Sequence, residues 1–251
     1  MLERLRQKHP GSSLGHILFF EVASSILALT FSLLFRSRSY FADRVPPTGP
    51  LIIAANHQSF IDPPFVGVAA TSRHCDFIAR ASLFRFGPFG MLLRAVNCVP
   101  LKDESGDAGA IREALNRLSM GHSIVIFPEG NRTPDGAMHT FKRGVSLLVK
   151  RAKCPVIPAA VEGCFDAWPR TSPVPRPWTS PIAVAFGHPI PYEELMADGP
   201  DAALRRLERE IDALRLDLRR RIRLSSGGSF PRRGPGDRPF EFVPPRTETK
   251  V

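Results

Sequence analysis

The sequence predicts an α/β fold, a mixed sheet flanked by helices, with an N-terminal hydrophobic membrane-anchoring helix and a disordered C-terminal tail. Three observations predict it. Apolar runs of strand length alternate with helix-period patterns between residues 51 and 186; one long apolar stretch precedes them; and a Gly- and Pro-rich segment follows.

The first element is the run from Ile17 to Phe35, interrupted only by Glu21 and by Ser24, Ser25, Thr30 and Ser32. As a helix its 19 residues reach about 28 Å, close to the hydrocarbon thickness of a bilayer. A carboxylate at Glu21 must snorkel, pair or protonate there. Basic residues flank both ends (Arg4, Arg6 and Lys8 before, Arg36, Arg38 and Arg44 after), so charge gives no orientation. A helix dipping into one leaflet fits as well as a crossing. A signal peptide fits less well, because no small-residue cleavage site follows; a buried core helix is the remaining alternative.

Buried strands are expected at Leu51–Ala55, Asp76–Arg80, Ser123–Phe127, Val156–Val161 and Ile182–Phe186, with helices at Ala108–Met120 and Lys142–Ala152. From Leu204 the apolar positions Leu207, Ile211, Leu214, Leu218 and Ile222 recur at spacings of three and four, which predicts an amphipathic helix with an arginine-rich opposite face. The stretch from Cys164 to Pro181 holds both tryptophans, Trp168 and Trp178, and reads as an extended loop covering the core or, since tryptophan favours the bilayer interface, bordering the entrance to a site. After Leu224 the Gly and Pro content predicts disorder. The organisation is therefore a membrane-anchoring segment over residues 1–48, a catalytic domain over 49–224 and a tail over 225–251.

Charge narrows the function. The chain carries 34 basic and 24 acidic side chains, a formal +10. Residues 1–48 hold six Lys/Arg against three Asp/Glu and residues 203–251 hold thirteen against seven, so the flanks contain nearly all of the excess. A nearly neutral body between basic flanks suits an anionic membrane surface and argues against a nucleic-acid partner. The four cysteines form no CxxC pair and no metal-ligand spacing with histidine, so neither a zinc site nor a disulfide framework is expected. No P-loop and no GxGxxG fingerprint occurs, and the GxSxG match at residues 11–15 has no strand before it.

Chemistry is expected at two strand ends. In Asn56-His57-Gln58-Ser59-Phe60-Ile61-Asp62, a histidine and an aspartate stand five apart just after a buried strand and before Pro63-Pro64. On a regular helix those side chains would diverge by about 140°, so a pair must bridge across a turn. A carboxylate on one ring nitrogen would fix the tautomer and ready the other nitrogen as a general base. In Phe127-Pro128-Glu129-Gly130-Asn131-Arg132-Thr133, a carboxylate, a flexible glycine and a guanidinium leave a strand together, and Arg132 can fork onto a phosphate. Downstream, Phe141-Lys142-Arg143-Gly144 opens a helix whose N-terminus can add amides and two cations.

Taken in order, these segments resemble the glycerolipid acyltransferase family, best known for lysophosphatidic acid acyltransferases. Asn56 to Asp62 looks like its NHxxxxD block, Phe127 to Thr133 like its FPEGTRS block and Val156-Ile157-Pro158-Ala159 like its final apolar block. Val99-Pro100-Leu101-Lys102 stands where the family usually ends a block in arginine, and Asn131 replaces the usual threonine. Lysine is a point charge without arginine's planar fork.

The resemblance implies a membrane-bound O-acyltransferase with its active site at the cytoplasmic face. His57 would be the general base and Asp62 its orienting partner; Lys102, Glu129, Gly130 and Arg132 would bind or position the acceptor. The donor would be acyl-CoA or an acyl carrier protein thioester, and the acceptor a lysophospholipid, most simply 1-acylglycerol-3-phosphate giving phosphatidic acid. Neither a cofactor nor a metal is expected, because the thioester is already activated. Another lysolipid or an amino-acid lipid is the alternative acceptor, and a noncatalytic lipid-binding protein of the same fold is the alternative class.

Overall fold

The computed structural model describes residues 5–6, 8–9, 13–85, 87, 90, 93, 98–101 and 106–241. Among these, strands β1 (Arg38–Tyr40), β2 (Leu51–Ala55), β3 (Cys75–Arg80), β4 (Cys98–Leu101), β5 (Ser123–Ile126), β6 (Val156–Glu162) and β7 (Ala183–Phe186) form one sheet in the order β1-β7-β6-β2-β5-β3-β4. All neighbours are parallel except β6 and β7, so the sheet is mixed as expected. The helices are α1 (Leu14–Phe35), α2 (Asp62–Ala69), α3 (Gly106–Ser119), α4 (Gly144–Ala152), α5 (Cys164–Ala167), α6 (Tyr192–Leu195) and α7 (Pro200–Ser225).

Side chains of successive strand residues point to opposite faces, and the central strands are apolar on both. Leu51, Ile53 and Ala55 of β2, with Ile157, Ala159 and Val161 of β6, meet Phe31 and Phe35 of α1 and Phe65 and Val66 of α2. Ile52, Ala54, Ile124, Val156 and Ala160 meet α3, α4 and α7 on the other face through Leu118, Leu148, Val149, Leu207, Ile211 and Leu218. The helix after β2 covers one face and the helix after β5 the other, although β2 and β5 are adjacent. Their outgoing loops therefore part at the carboxyl ends of the strands, the position at which open α/β sheets bind ligands.

Five elements add to those expected: the four-residue helices α5, inside the stretch read as an extended loop, and α6, together with β1, β4 and α2. β1 has three residues, too few for a period to register. β4 contains Pro100, which an edge strand tolerates. α2 carries Pro63 and Pro64 in its first turn, where a missing N–H leaves no intrahelical bond unmade.

Helix α1 packs lengthwise on the domain rather than projecting from it. Ile17, Phe20, Phe31 and Phe35 are buried, and the Phe31 ring meets the Phe65 ring of α2 edge-on at 5.5 Å. The opposite face, with Leu18, Phe19, Val22, Ile26, Leu29 and Leu33, is exposed. Glu21 pairs, as one of its three expected options, with Lys8 Nζ and His9 Nε2, each at 2.8 Å.

Two expectations about the C-terminal region are corrected. The arginines of α7 do not all face solvent: Arg215 and Arg219 lie on its buried side with Ile211, Leu218 and Ile222. The disorder expected after Leu224 does not extend over residues 226–241. Arg215 donates to the carbonyls of Gly236 and Arg238, and Arg219 to that of Arg232, while Phe230 and Phe240 pack against the second core. The guanidinium forks supply donors to a chain that has no regular structure of its own, which is why Gly and Pro content misled. Residues 242–251 of the expected tail lie outside the described residues.

Candidate active site

His57 follows β2 directly and Asp62 is the first residue of α2, so the strand-to-helix turn between them folds one onto the other. His57 Nδ1 lies 2.8 Å from Asp62 Oδ2. The same oxygen accepts the amides of Gln58 (2.5 Å) and Ser59 (2.6 Å), which fixes the fully buried carboxylate beneath the imidazole. Nδ1 is thereby committed to Asp62, and Nε2 makes no hydrogen bond among the described residues. Asn56 anchors the start of the turn: its amide donates to the Val161 carbonyl (3.0 Å) and accepts from the Val161 N–H (2.8 Å), continuing the β2–β6 pairing through a side chain.

The loop after β5 grips the same turn. Glu129 Oε1 accepts the His57 N–H at 2.7 Å and Oε2 accepts the His139 N–H at 2.9 Å. The His57 carbonyl accepts the Thr133 N–H at 2.8 Å, and the Phe127 ring stacks on the imidazole with centroids 4.1 Å apart. Burial pushes the Glu129 carboxyl up to about 8, against the pull of the two amides. With both oxygens on backbone donors, Glu129 holds the His57 turn in place. Gly130 has φ of +72°, a left-handed conformation that favours glycine, and the atoms a Cβ would meet are the flexible end of the Lys142 side chain.

Arg132 supplies the positive charge. Its guanidinium carbon sits 3.3 Å from the Phe60 ring centroid, a cation–π contact. Its Nη1 is buried with no hydrogen-bond partner among the described residues. Arg170, from the loop after α5, donates to the Arg132 carbonyl at 3.4 Å. Burial first and then the Arg170 charge lower the Arg132 pKa, a like-charge neighbourhood that an anion would relieve. Lys102 lies outside the described residues. The structure thus brings together His57, Asp62, Glu129, Gly130 and Arg132 from the candidates, and adds Gln58, Ser59, Phe60, Phe127 and Arg170. Their roles depend on contacts between loops about 40 or more residues apart or on backbone N–H groups, and neither leaves a sequence signal.

All four cysteines are free and buried, and burial raises the pKa of each thiol, so none is an activated nucleophile. Among the described residues no three His, Cys, Asp or Glu side chains converge as a metal-ion site would require.

A second His–Asp pair lies at the other end of the sheet. His122, just before β5, places Nδ1 2.8 Å from Oδ2 of Asp76 near the start of β3. Arg117 and His74 also approach Asp76, each at 3.6 Å. His74 is wedged between His9 and Phe20, and burial pushes its imidazole down to about 3.

A model of the Acyltransferase family matches residues 36–162, half of the chain, and spans both loops of the site. The chain belongs to the Acyltransferase family. Among similar proteins, the 1-acyl-sn-glycerol-3-phosphate acyltransferase of Bacillus subtilis (strain 168) is 25% identical over 144 residues, 57% of this chain and 71% of that protein. The 1-acyl-sn-glycerol-3-phosphate acyltransferase alpha of Mus musculus is 30% identical over 163 residues, 62% of this chain and 55% of that protein. The crystal structure of the 1-acyl-sn-glycerophosphate acyltransferase PlsC from Thermotoga maritima superimposes with a TM-score of 0.60 at 24% identity, covering 75% of this chain and 78% of that one. That likeness extends the family assignment to the fold.

Proposed function

We propose that this acyltransferase moves a fatty acyl group from a thioester, acyl-CoA or an acyl carrier protein, to the free hydroxyl of a lysophospholipid. 1-Acylglycerol-3-phosphate is the acceptor that best fits the site, giving phosphatidic acid. One observation carries the reading: among the described residues His57 is bound to Asp62 through Nδ1 while Nε2 has no hydrogen-bond partner, and Arg132, next to the Thr133 that bonds the His57 carbonyl, keeps a buried guanidinium nitrogen without one.

In this reading Nε2 takes the proton of the acceptor hydroxyl as its oxygen attacks the thioester carbonyl, and Asp62 stabilises the imidazolium that forms. The tetrahedral intermediate collapses, the carbon–sulfur bond breaks, and the departing thiolate recovers the proton from His57. No acyl-enzyme forms, and neither cofactor nor metal takes part. Arg132, with Arg170 beside it and Lys102, holds the acceptor phosphate; Glu129 and Gly130 keep the loop that carries Arg132 against the base.

The exposed apolar face of α1 supports a membrane surface as the site of action. Because α1 packs lengthwise on α2, it enters one leaflet flat, like an interfacial helix, with the domain at that surface and the active site facing the cytoplasm. Trp178, which is exposed, adjoins that apolar face: its backbone N–H donates to the Leu34 carbonyl near the end of α1.

The test is a lipid mass-spectrometry assay of the purified protein with both donor carriers and a panel of lyso acceptors. Phosphatidic acid formed by the wild type and lost in a folded His57→Ala variant is expected. Equal rates for the two proteins would overturn the catalytic reading, and binding of lysolipids without turnover would favour a lipid-binding protein.

A further inference from the structure

The catalytic turn is tied to the C-terminal segment by a line of buried side chains that the reaction itself does not use. Gln58 gives its backbone N–H to Asp62, and its side chain is held at both ends: Nε2 donates to Glu162 Oε2 at 3.1 Å and Oε1 accepts the Phe165 N–H at 3.2 Å. Glu162, the last residue of β6, accepts Arg219 Nη1 on its other oxygen at 2.6 Å. Arg219 completes its fork on Asp237 Oδ1 (2.8 Å) and the Arg232 carbonyl (2.6 Å). Arg215, fully buried beside it, lies 4.0 Å from Glu162 and donates to Asp212 and to the carbonyls of Gly236 and Arg238. Gly163 holds the corner after Glu162: its φ is +84°, and a Cβ would strike the Pro181 carbonyl.

Burial of this ion pair is hard to explain by stability alone. Gln58 and Glu162 are 1% exposed and the Arg219 side chain 8%, and in such places a well-packed apolar pair is usually as stable as an ionic one. Ions do, however, fix a geometry that apolar contacts leave free to slide. Asp62 needs that fixity, since two of its three donors are the amides of Gln58 and Ser59.

We infer that Gln58, Glu162 and Arg219 form a positioning relay that braces the Asp62 turn against residues 226–241, making that segment a working part of the catalytic unit. The inference rests on the catalytic reading above for its kinetic consequence. None of the three residues touches substrate; they act through the orientation of Asp62 and His57. Small misplacement of a base lowers turnover steeply.

The experiment compares the full chain with Gln58→Met, with Glu162→Met/Arg219→Met, which removes both ions together, and with the triple variant. Turnover per folded molecule is expected to fall about tenfold in the first two, with KM for donor and acceptor within about twofold. The triple variant is expected to lose no more than either, because one line is cut in each case. Asp237→Ala, at the far end, should lower the same parameter by a smaller factor. Wild-type turnover in folded Gln58→Met or Glu162→Met/Arg219→Met, or losses that multiply in the triple variant, would overturn the relay. Amide hydrogen exchange gives a readout independent of activity: the Gln58 and Ser59 amides should exchange faster in each relay variant, and unchanged exchange would also overturn it. A wild type without transferase activity would count against the proposed function, and the exchange rates would then decide the relay.

Discussion

Two histidine–aspartate pairs with the same 2.8 Å Nδ1 contact sit at opposite ends of one sheet, and only one fits the catalytic base proposed above. Their histidine side chains are similarly shielded, 16% exposed at His57 and 21% at His122. The surroundings differ. Asp62 is held by two backbone amides, whereas Asp76 is approached by two further ionisable side chains, Arg117 and His74. Arg132, next to the Thr133 that bonds the His57 carbonyl, has an unmet donor among the described residues; His122 shares Asp76 with His74, whose ring packs against His9 and Phe20. The two pairs share a distance, and what sets His57 apart is the backbone support of its carboxylate and the unmet donor of Arg132 among the described residues.

The largest effect that would break this contrast is at the bases. His57→Ala is expected to lower transfer by about 10²–10⁴-fold, the usual contribution of a general base, measured as kcat on protein whose circular dichroism matches the wild type. A similar loss in His122→Ala would erase the distinction. Next in size, Arg132→Ala should raise KM for a phosphate-bearing acceptor by roughly tenfold to a hundredfold, the worth of a charged hydrogen bond of about 1.5–3 kcal/mol. A neutral acceptor should be nearly indifferent to the change, and equal sensitivity of both acceptors would remove Arg132 from the phosphate.

The opposite end should respond in stability instead. His122→Ala deprives buried Asp76 of its closest partner and is expected to cost about 1–3 kcal/mol in urea unfolding, with transfer by the folded protein within about twofold of wild type. An unchanged unfolding midpoint would contradict the assigned packing role.

The smallest effects are two opposed pH slopes. The Glu129 carboxyl rises from about 4.5 to about 8 on folding, so it adds stability below 4.5 that is lost as pH climbs towards 8. The His74 imidazole falls from 6.5 to about 3, so it adds stability above 6.5 that is lost as pH drops towards 3. Glu129→Gln should flatten the first slope and His74→Phe the second, read from unfolding free energy between pH 4 and 9. Profiles parallel to the wild type would show that neither group titrates as described.

The sequence was most legible where the contacts are local. His57 and Asp62 stand five apart across one turn, and the central strands advertise themselves by apolar runs that no helix period explains. Legibility failed where a partner is distant. Nothing near Glu129 signals that its oxygens face His57 and His139, and Arg215 and Arg219 look like solvated charges until Glu162, from a strand some 50 residues earlier, is set beside them. Residues 226–241 read as unstructured because Gly and Pro content registers the absence of helix and strand, not the absence of donors waiting on a neighbouring helix.

The peptide of His57 is clasped from both sides, its N–H by the Glu129 side chain and its carbonyl by the Thr133 N–H. The imidazole consequently has a single stance, and an incoming alcohol must adapt to it. On the proposed reading, headgroups of different size are accommodated by Phe60, Arg132 and Arg170. An enzyme arranged this way can broaden or narrow its diet by trading those residues, generation after generation, while the proton-transfer machinery stays untouched.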